Sequence, residues 1–200
     1  ISYSLHLMRT FRGYRGKIKK QSKKEGVNMK DFLSLAKARY SVRKYKDVPI
    51  PEKAFARVLQ AGQVAPTACN AQAVHVYVLK SETALAKARS LTKFTFDAPA
   101  VLLVCYDSER TWQNKLEPGV TSGQQDAAIV ATHMMLQAWE EGLGTCWVNL
   151  FPNSQAKEML GLATNHVPVL LMPIGIPAED AAPSPMHYQY RDIDELVTML

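Results

Sequence analysis

Arg39, Ser41 and Arg43 occupy alternate positions in the run Arg39-Tyr40-Ser41-Val42-Arg43. On extended backbone, alternate side chains point to one side. Two guanidinium groups and a hydroxyl therefore converge on one spot. A guanidinium presents a planar fork of donors matched to phosphate oxygens, and serine adds a further donor. The chemistry favoured is capture of a doubly charged terminal phosphate, which charge-assisted bonds hold strongly. On spacing alone, a solvated basic strand has the same pattern.

A second polar segment, Ala65-Pro66-Thr67-Ala68-Cys69-Asn70-Ala71-Gln72, closes a helix-like run and leads into the apolar stretch His75–Leu79. Further along come Gly142-Leu143-Gly144-Thr145-Cys146-Trp147, then Pro168 to Gly175, then Arg191. Taken in this order, from about residue 29 to 200, the segments resemble the FMN-dependent nitroreductase family. Its members open with R-x-S-x-R and later carry A-P-S-x-x-N-x-Q.

The resemblance implies an α+β fold with a mostly antiparallel central sheet flanked by helices, and FMN at the interface of a homodimer. It places Arg39, Tyr40, Ser41 and Arg43 in the phosphate segment, with Arg191 returning to the same phosphate. Pro66, Thr67 and Asn70 lie beside the isoalloxazine and ribityl chain, and Gln72 reaches the flavin of the partner subunit. Asn149-Leu150 stands where larger relatives have Glu-Gly, with a backbone N–H facing flavin N5. Three departures bear on detail. Thr67 replaces the commoner serine but keeps the hydroxyl. Ala73 and Val74 replace a proline and an aromatic. Leu150 carries a Cβ that hinders close approach.

By the same resemblance, NAD(P)H reduces FMN by hydride transfer and a small oxidant, a nitro compound or quinone, then reoxidises it in a ping-pong cycle. The redox chemistry belongs to the cofactor, so no catalytic acid or base is named. The alternatives are a flavoenzyme of this fold performing reductive dehalogenation or flavin fragmentation, and a non-enzymatic flavin-binding or nucleic-acid-associated protein. A cytoplasmic location, with no membrane and no nucleic-acid partner, is expected.

The chain has 200 residues and a formal charge of +6. Residues 1–28 carry eight basic side chains (Arg9, Arg12, Arg15, Lys17, Lys19, Lys20, Lys23, Lys24) against Glu25, which is +7 and leaves −1 for residues 29–200. The body is thus not basic, which argues against a nucleic-acid surface spread over it. Residues 1–28 read as a basic extension, residues 29–200 as one FMN-binding domain. Cys69, Cys105 and Cys146 lack C-x-x-C spacing and read as free thiols. The five histidines are scattered without ligand spacing, so no metal is expected.

The positioning elements follow from periodicity. Helices are expected at Asp31 to Ala38, from Pro51 to about Val64, Glu82 to Leu91 capped by Ser81, Asp126 to Glu141, and from Asn153 to a C-terminal Gly161. Pro51 suits a first helical position. Strands are expected at His75 to Leu79, Ala100 to Tyr106 (apolar throughout, hence buried on both faces), Cys146 to Leu150, and Pro168 to Gly175. Asp107 to Gly123 reads as a functional loop and Ile193 to Leu200 as a final amphipathic piece. The helix at 126–141 is apolar over most of its surface, as at a subunit contact. Gly142-Leu143-Gly144 follows a helix and precedes a strand, the reverse of a dinucleotide fingerprint, and reads as a helix-ending turn.

Overall fold

The computed structural model describes residues 31–200; the basic extension read at 1–28 lies outside the described residues. The chain divides after Ala38 into two units. In the first, helix α1 (Phe32–Ala38) follows Asp31, whose carboxylate accepts from Ser34 at 3.0 Å. The second, Arg39–Leu200, carries everything below.

This unit is an α+β body built on a four-stranded antiparallel sheet of order β1-β2-β4-β3. The strands are β1 (Val74–Leu79), β2 (Ala100–Asp107), β3 (Gly144–Thr145) and β4 (His166–Gly175). Helices α2 (Glu52–Gln63) and α4 (Gly123–Glu140) cover one face, where Val58, Val130 and Met134 meet Leu102, Val104 and Met172. Helices α3 (Glu82–Leu91) and α5 (Asn153–Leu160) cover the other, where Leu85, Ala88 and Ala156 meet Val101, Leu103 and Leu171. Successive residues of β2 feed opposite cores, which is why its sequence is apolar without alternation. The last helix, α6 (Ile193–Leu196), lies in a C-terminal stretch that exposes Met186, Tyr188, Tyr190, Ile193, Leu196 and Met199.

Strands β1, β2 and β4 are each one or two residues longer than expected, and four further boundaries differ. Pro51 is the cap before α2 rather than its first residue, with ψ near 124°, because the helix begins at Glu52. Helix α4 starts at Gly123, three residues before Asp126, so the preceding loop is shorter than its polar composition implies. The strand expected at Cys146–Leu150 is confined to Gly144–Thr145. Beyond it Cys146 N–H donates to the Pro173 carbonyl at 3.3 Å, and Val148 exchanges hydrogen bonds with Leu171 at 2.9 Å. The run Cys146-Trp147-Val148 is apolar because it packs, not because it forms a regular ladder. Finally, the helical part of the last piece covers only Ile193–Leu196.

Ser81 caps α3, its side chain accepting from Ala84 N–H at 3.2 Å. Gly161 ends α5 in the left-handed region at φ 65°, as its position after the last apolar turn implies. Among the described residues no helix is long and apolar enough to cross a membrane, and no group of three or more His, Cys, Asp or Glu is placed to hold a metal.

Burial pushes the Cys105 thiol, at the end of β2, up to about 12, with Lys157 pulling weakly the other way. An unfolded thiol ionises near 8.5. Above that pH the unfolded chain has lost a proton that the folded chain keeps, so stability falls as pH rises, by up to about 1.4 kcal/mol per pH unit. Thermal melts between pH 7.5 and 10.5 are expected to show this decline, and Cys105→Ala is expected to flatten it while lowering the starting stability.

Candidate functional site

The arginine segment runs extended against the edge of the sheet. Ser41 bridges Thr145 in parallel, and Val42 N–H donates to the Thr145 carbonyl at 2.9 Å. Val42 is fully buried and lies flush against Gly144. The Tyr45 hydroxyl donates to the Val42 carbonyl at 2.8 Å, and Lys46 N–H to the Ile176 carbonyl at 2.8 Å. This backbone is fixed on both flanks, with Val42 turned inward and Arg43 exposed.

Arg39, Ser41 and Arg43 all act on the Cys146 thiol. Burial raises its pKa, while Arg43, a hydrogen bond from Ser41 and Arg39 all act to lower it. Arg39 Nε is buried and has no hydrogen-bond partner. A buried donor left unpaired costs about 1–3 kcal/mol, more when charged. A phosphate oxygen would satisfy it, so the residues present fit the terminal phosphate of FMN. Cys146 was legible in the sequence only as a buried thiol; its place beneath this cluster is a tertiary result.

Tyr40 points elsewhere. Its hydroxyl donates to the Ala181 carbonyl at 3.1 Å and its ring meets Trp139 edge-on at 5.1 Å. Arg191 donates through Nε to Glu195 at 3.2 Å and through Nη2 to the Glu195 carbonyl at 2.6 Å, at the entrance to α6. Asn149 accepts from Trp147 Nε1 at 2.9 Å, and Leu150 beside it is 71% exposed.

Pro66 to Gln72 form a tight polar loop closed by its own side chains. Gln72 N–H donates to Thr67 Oγ1 at 3.1 Å, and Gln72 Nε2 to Asn70 Oδ1 at 3.0 Å. Cys69, Asn70 and Gln72 hold φ of 50°, 53° and 48°. Left-handed backbone at non-glycine residues costs on the order of 1–3 kcal/mol each and persists only where the surroundings impose it. Asp126, buried in the first turn of α4, lies under this loop, and its Oδ1 accepts from Ala68 N–H at 2.9 Å. Behind the loop lies a groove of about 310 Å³ lined by Leu59, Val74, Val130 and Met134, with Thr67 and Gln72 at its edge. An acid inside an otherwise apolar helical run was the signal for Asp126, and sequence reasoning took it only as a helix start.

The histidines are less scattered than expected. His75 and His166 stack with centroids 4.5 Å apart, and His166 Nδ1 pairs with the Tyr77 hydroxyl at 2.7 Å.

The two polar clusters lie at opposite ends of α4: the loop at Asp126, the arginine segment at Trp139. Helical rise separates those two positions by about 20 Å.

The nitroreductase family model matches residues 36–93 and 84–176. A solved nitroreductase family protein from Clostridium difficile superposes with TM-score 0.78 at 30% identity, covering 84% of this chain and 98% of that one. The chain belongs to the nitroreductase family. An FMN complex from Exiguobacterium sibiricum shares the nitroreductase fold at TM-score 0.72 and 23% identity, covering 87% of this chain and 99% of that one. A relative from Methanothermobacter thermautotrophicus named NADH dehydrogenase/NAD(P)H nitroreductase is 29% identical over 161 residues, 77% of this chain and 81% of the relative.

The geometry of the arginine segment depends on Gly144. A Cβ there would meet Val42 Cγ2 at 2.5 Å. Gly144→Ala is expected to push the arginine segment off β3, destabilising the protein by about 1–3 kcal/mol. Denaturant unfolding checks the stability loss.

Proposed function

We propose that this chain is an FMN-dependent oxidoreductase that uses NAD(P)H to reduce small oxidants such as nitro compounds or quinones, as a cytoplasmic homodimer with FMN between subunits. The observation that carries the cofactor assignment is the buried, orphaned Arg39 Nε, with Ser41 and the exposed Arg43 following at alternate positions, a cationic segment suited to an anion. The activity rests on family membership and on relatives named NAD(P)H nitroreductase and, in Staphylococcus aureus, NADPH-dependent oxidoreductase.

Bound FMN would supply hydride acceptance and return, and the residues supply position and surroundings. Arg39, Ser41 and Arg43 anchor the phosphate through charge-assisted bonds. Thr67, Asn70 and Gln72 present hydroxyl and amide groups to the ribityl chain and the mixed donor–acceptor edge of the ring. The backbone at Asn149-Leu150 would offer an N–H to N5, and the Leu150 side chain beside it is exposed.

The separation of the clusters along α4 supports the dimer. Each chain carries two half-sites, and a two-fold axis would set the loop of one subunit beside the arginines of the other, in an isologous contact. The exposed apolar side chains from Met186 to Met199 are surface that a second copy would cover.

Two outcomes are expected. Arg43→Ala and Arg39→Ala should each weaken FMN by about 1.5–3 kcal/mol, the scale of a hydrogen bond to a charged group, while riboflavin, which lacks the phosphate, loses little; titration of both flavins checks this. Size-exclusion chromatography followed at protein and flavin wavelengths should show a yellow dimer that NADH or NADPH bleaches anaerobically. A colourless protein after FMN reconstitution, or a stable yellow monomer, would overturn the proposal.

A further inference from the structure

Asp126 is an acid with almost no exposure, placed under a loop that the flavin reading uses. Both carboxylate oxygens are engaged. Oδ1 accepts from Ala68 N–H at 2.9 Å and Oδ2 accepts from Ser122 Oγ at 2.7 Å. Ser122 is itself buried, and its hydroxyl lies 3.3 Å from that of Thr111, also buried. A hydroxyl has one proton. The Ser122 proton goes to Asp126, so the Thr111 hydroxyl is the donor to Ser122. Thr111 N–H in turn donates to the Asp107 carbonyl at the end of β2 at 3.0 Å. The result is a connected set of hydrogen bonds from the end of β2 through Thr111 and Ser122 that meets the bond from Ala68 N–H at the Asp126 carboxylate.

We propose that Asp126 is a positioning residue for the flavin: it holds the Pro66–Gln72 loop in its left-handed conformation and ties it to the 108–122 segment. This rests on the FMN reading above. The loop's side-chain bonds, Gln72 N–H to Thr67 and Gln72 to Asn70, join exposed or half-exposed groups that water can replace. Its two backbone turn bonds, Asn70 N–H to the Thr67 carbonyl and Ala71 N–H to the Ala68 carbonyl at 3.0 Å each, tie it to no other element. The Ala68 N–H bond to the buried Asp126 carboxylate anchors the three left-handed residues to α4. Charge assistance makes this bond stronger than a neutral one. The positive end of the α4 dipole favours the carboxylate in that first turn. Because the loop is proposed to serve the ring and ribityl chain, its loss should not discriminate between flavins with and without a phosphate.

The test compares Asp126→Ala with Asp126→Asn in the full chain. Asparagine keeps the acceptor for Ala68 N–H and can donate to Ser122, whose proton then turns to Thr111, so every polar group stays paired. Asp126→Ala is expected to weaken FMN and riboflavin by the same factor, roughly 10–100-fold, as for loss of a bond to a charged group. It should also speed amide hydrogen exchange at residues 68–72, and Asp126→Asn should restore both. Ser122→Ala, which spares Oδ1, should give a smaller loss in the same ratio and provides the test if Asp126→Ala does not fold. Unchanged affinity with a folded Asp126→Ala or Ser122→Ala protein, or a loss confined to FMN, would overturn the proposal while leaving the FMN reading intact. A wild type that binds neither flavin would overturn that reading as well.

Discussion

The length of α4 fixes the distance between the Pro66–Gln72 loop and the arginine segment. Its 18 residues run the length of the sheet, with the Pro66–Gln72 loop bonded at one end and Tyr40 packed at the other. A helix cannot shorten, since its rise per residue is set by backbone hydrogen bonding. Neither cluster can therefore move toward the other within one chain. The rest of the architecture serves to hold the two ends rigid: α2 packs along α4, β2 and β4 lie beneath, and Gly144 lets the arginine segment close onto the last strand.

At each end, polar groups are fixed by burial of something else. The arginine side chains project because Val42 between them is locked into the core. The loop amides project because Ala68 is tied to a carboxylate under them. In both places strain or an unpaired donor persists beside well-packed surroundings, with Arg39 Nε orphaned at one end and three left-handed residues at the other. Such local costs are tolerated where the structure around them over-determines the geometry, and they mark sites of function more often than sites of mere packing.

The sequence was most legible where one physical rule acts alone. Periodicity located α2, α3 and α5, and unbroken apolarity located β2, because burial on two faces removes any reason for alternation. The reading weakened where rules compete. Cys146 to Val148 has strand composition, but beyond Thr145 it keeps only separate bonds to β4, from Cys146 N–H and with Val148, and no continuous ladder. Asp126 looked like a helix start, and the backbone had already entered the helix at Gly123.

What the sequence determined by itself is the inventory and its order: two arginines and a serine at alternate positions, an amide-bearing loop before a strand, and helices and strands able to sandwich a sheet. Local residue type and spacing carry these, because side-chain direction follows backbone period. What only tertiary structure decided is who meets whom. The action of the arginine segment on the Cys146 thiol, the hydrogen bond of Ala68 to an acid 58 residues away, and the placement of the two clusters at opposite ends of one helix depend on contacts between distant segments. Such contacts arise from closing the two cores around the sheet, and no spacing within a single segment encodes them.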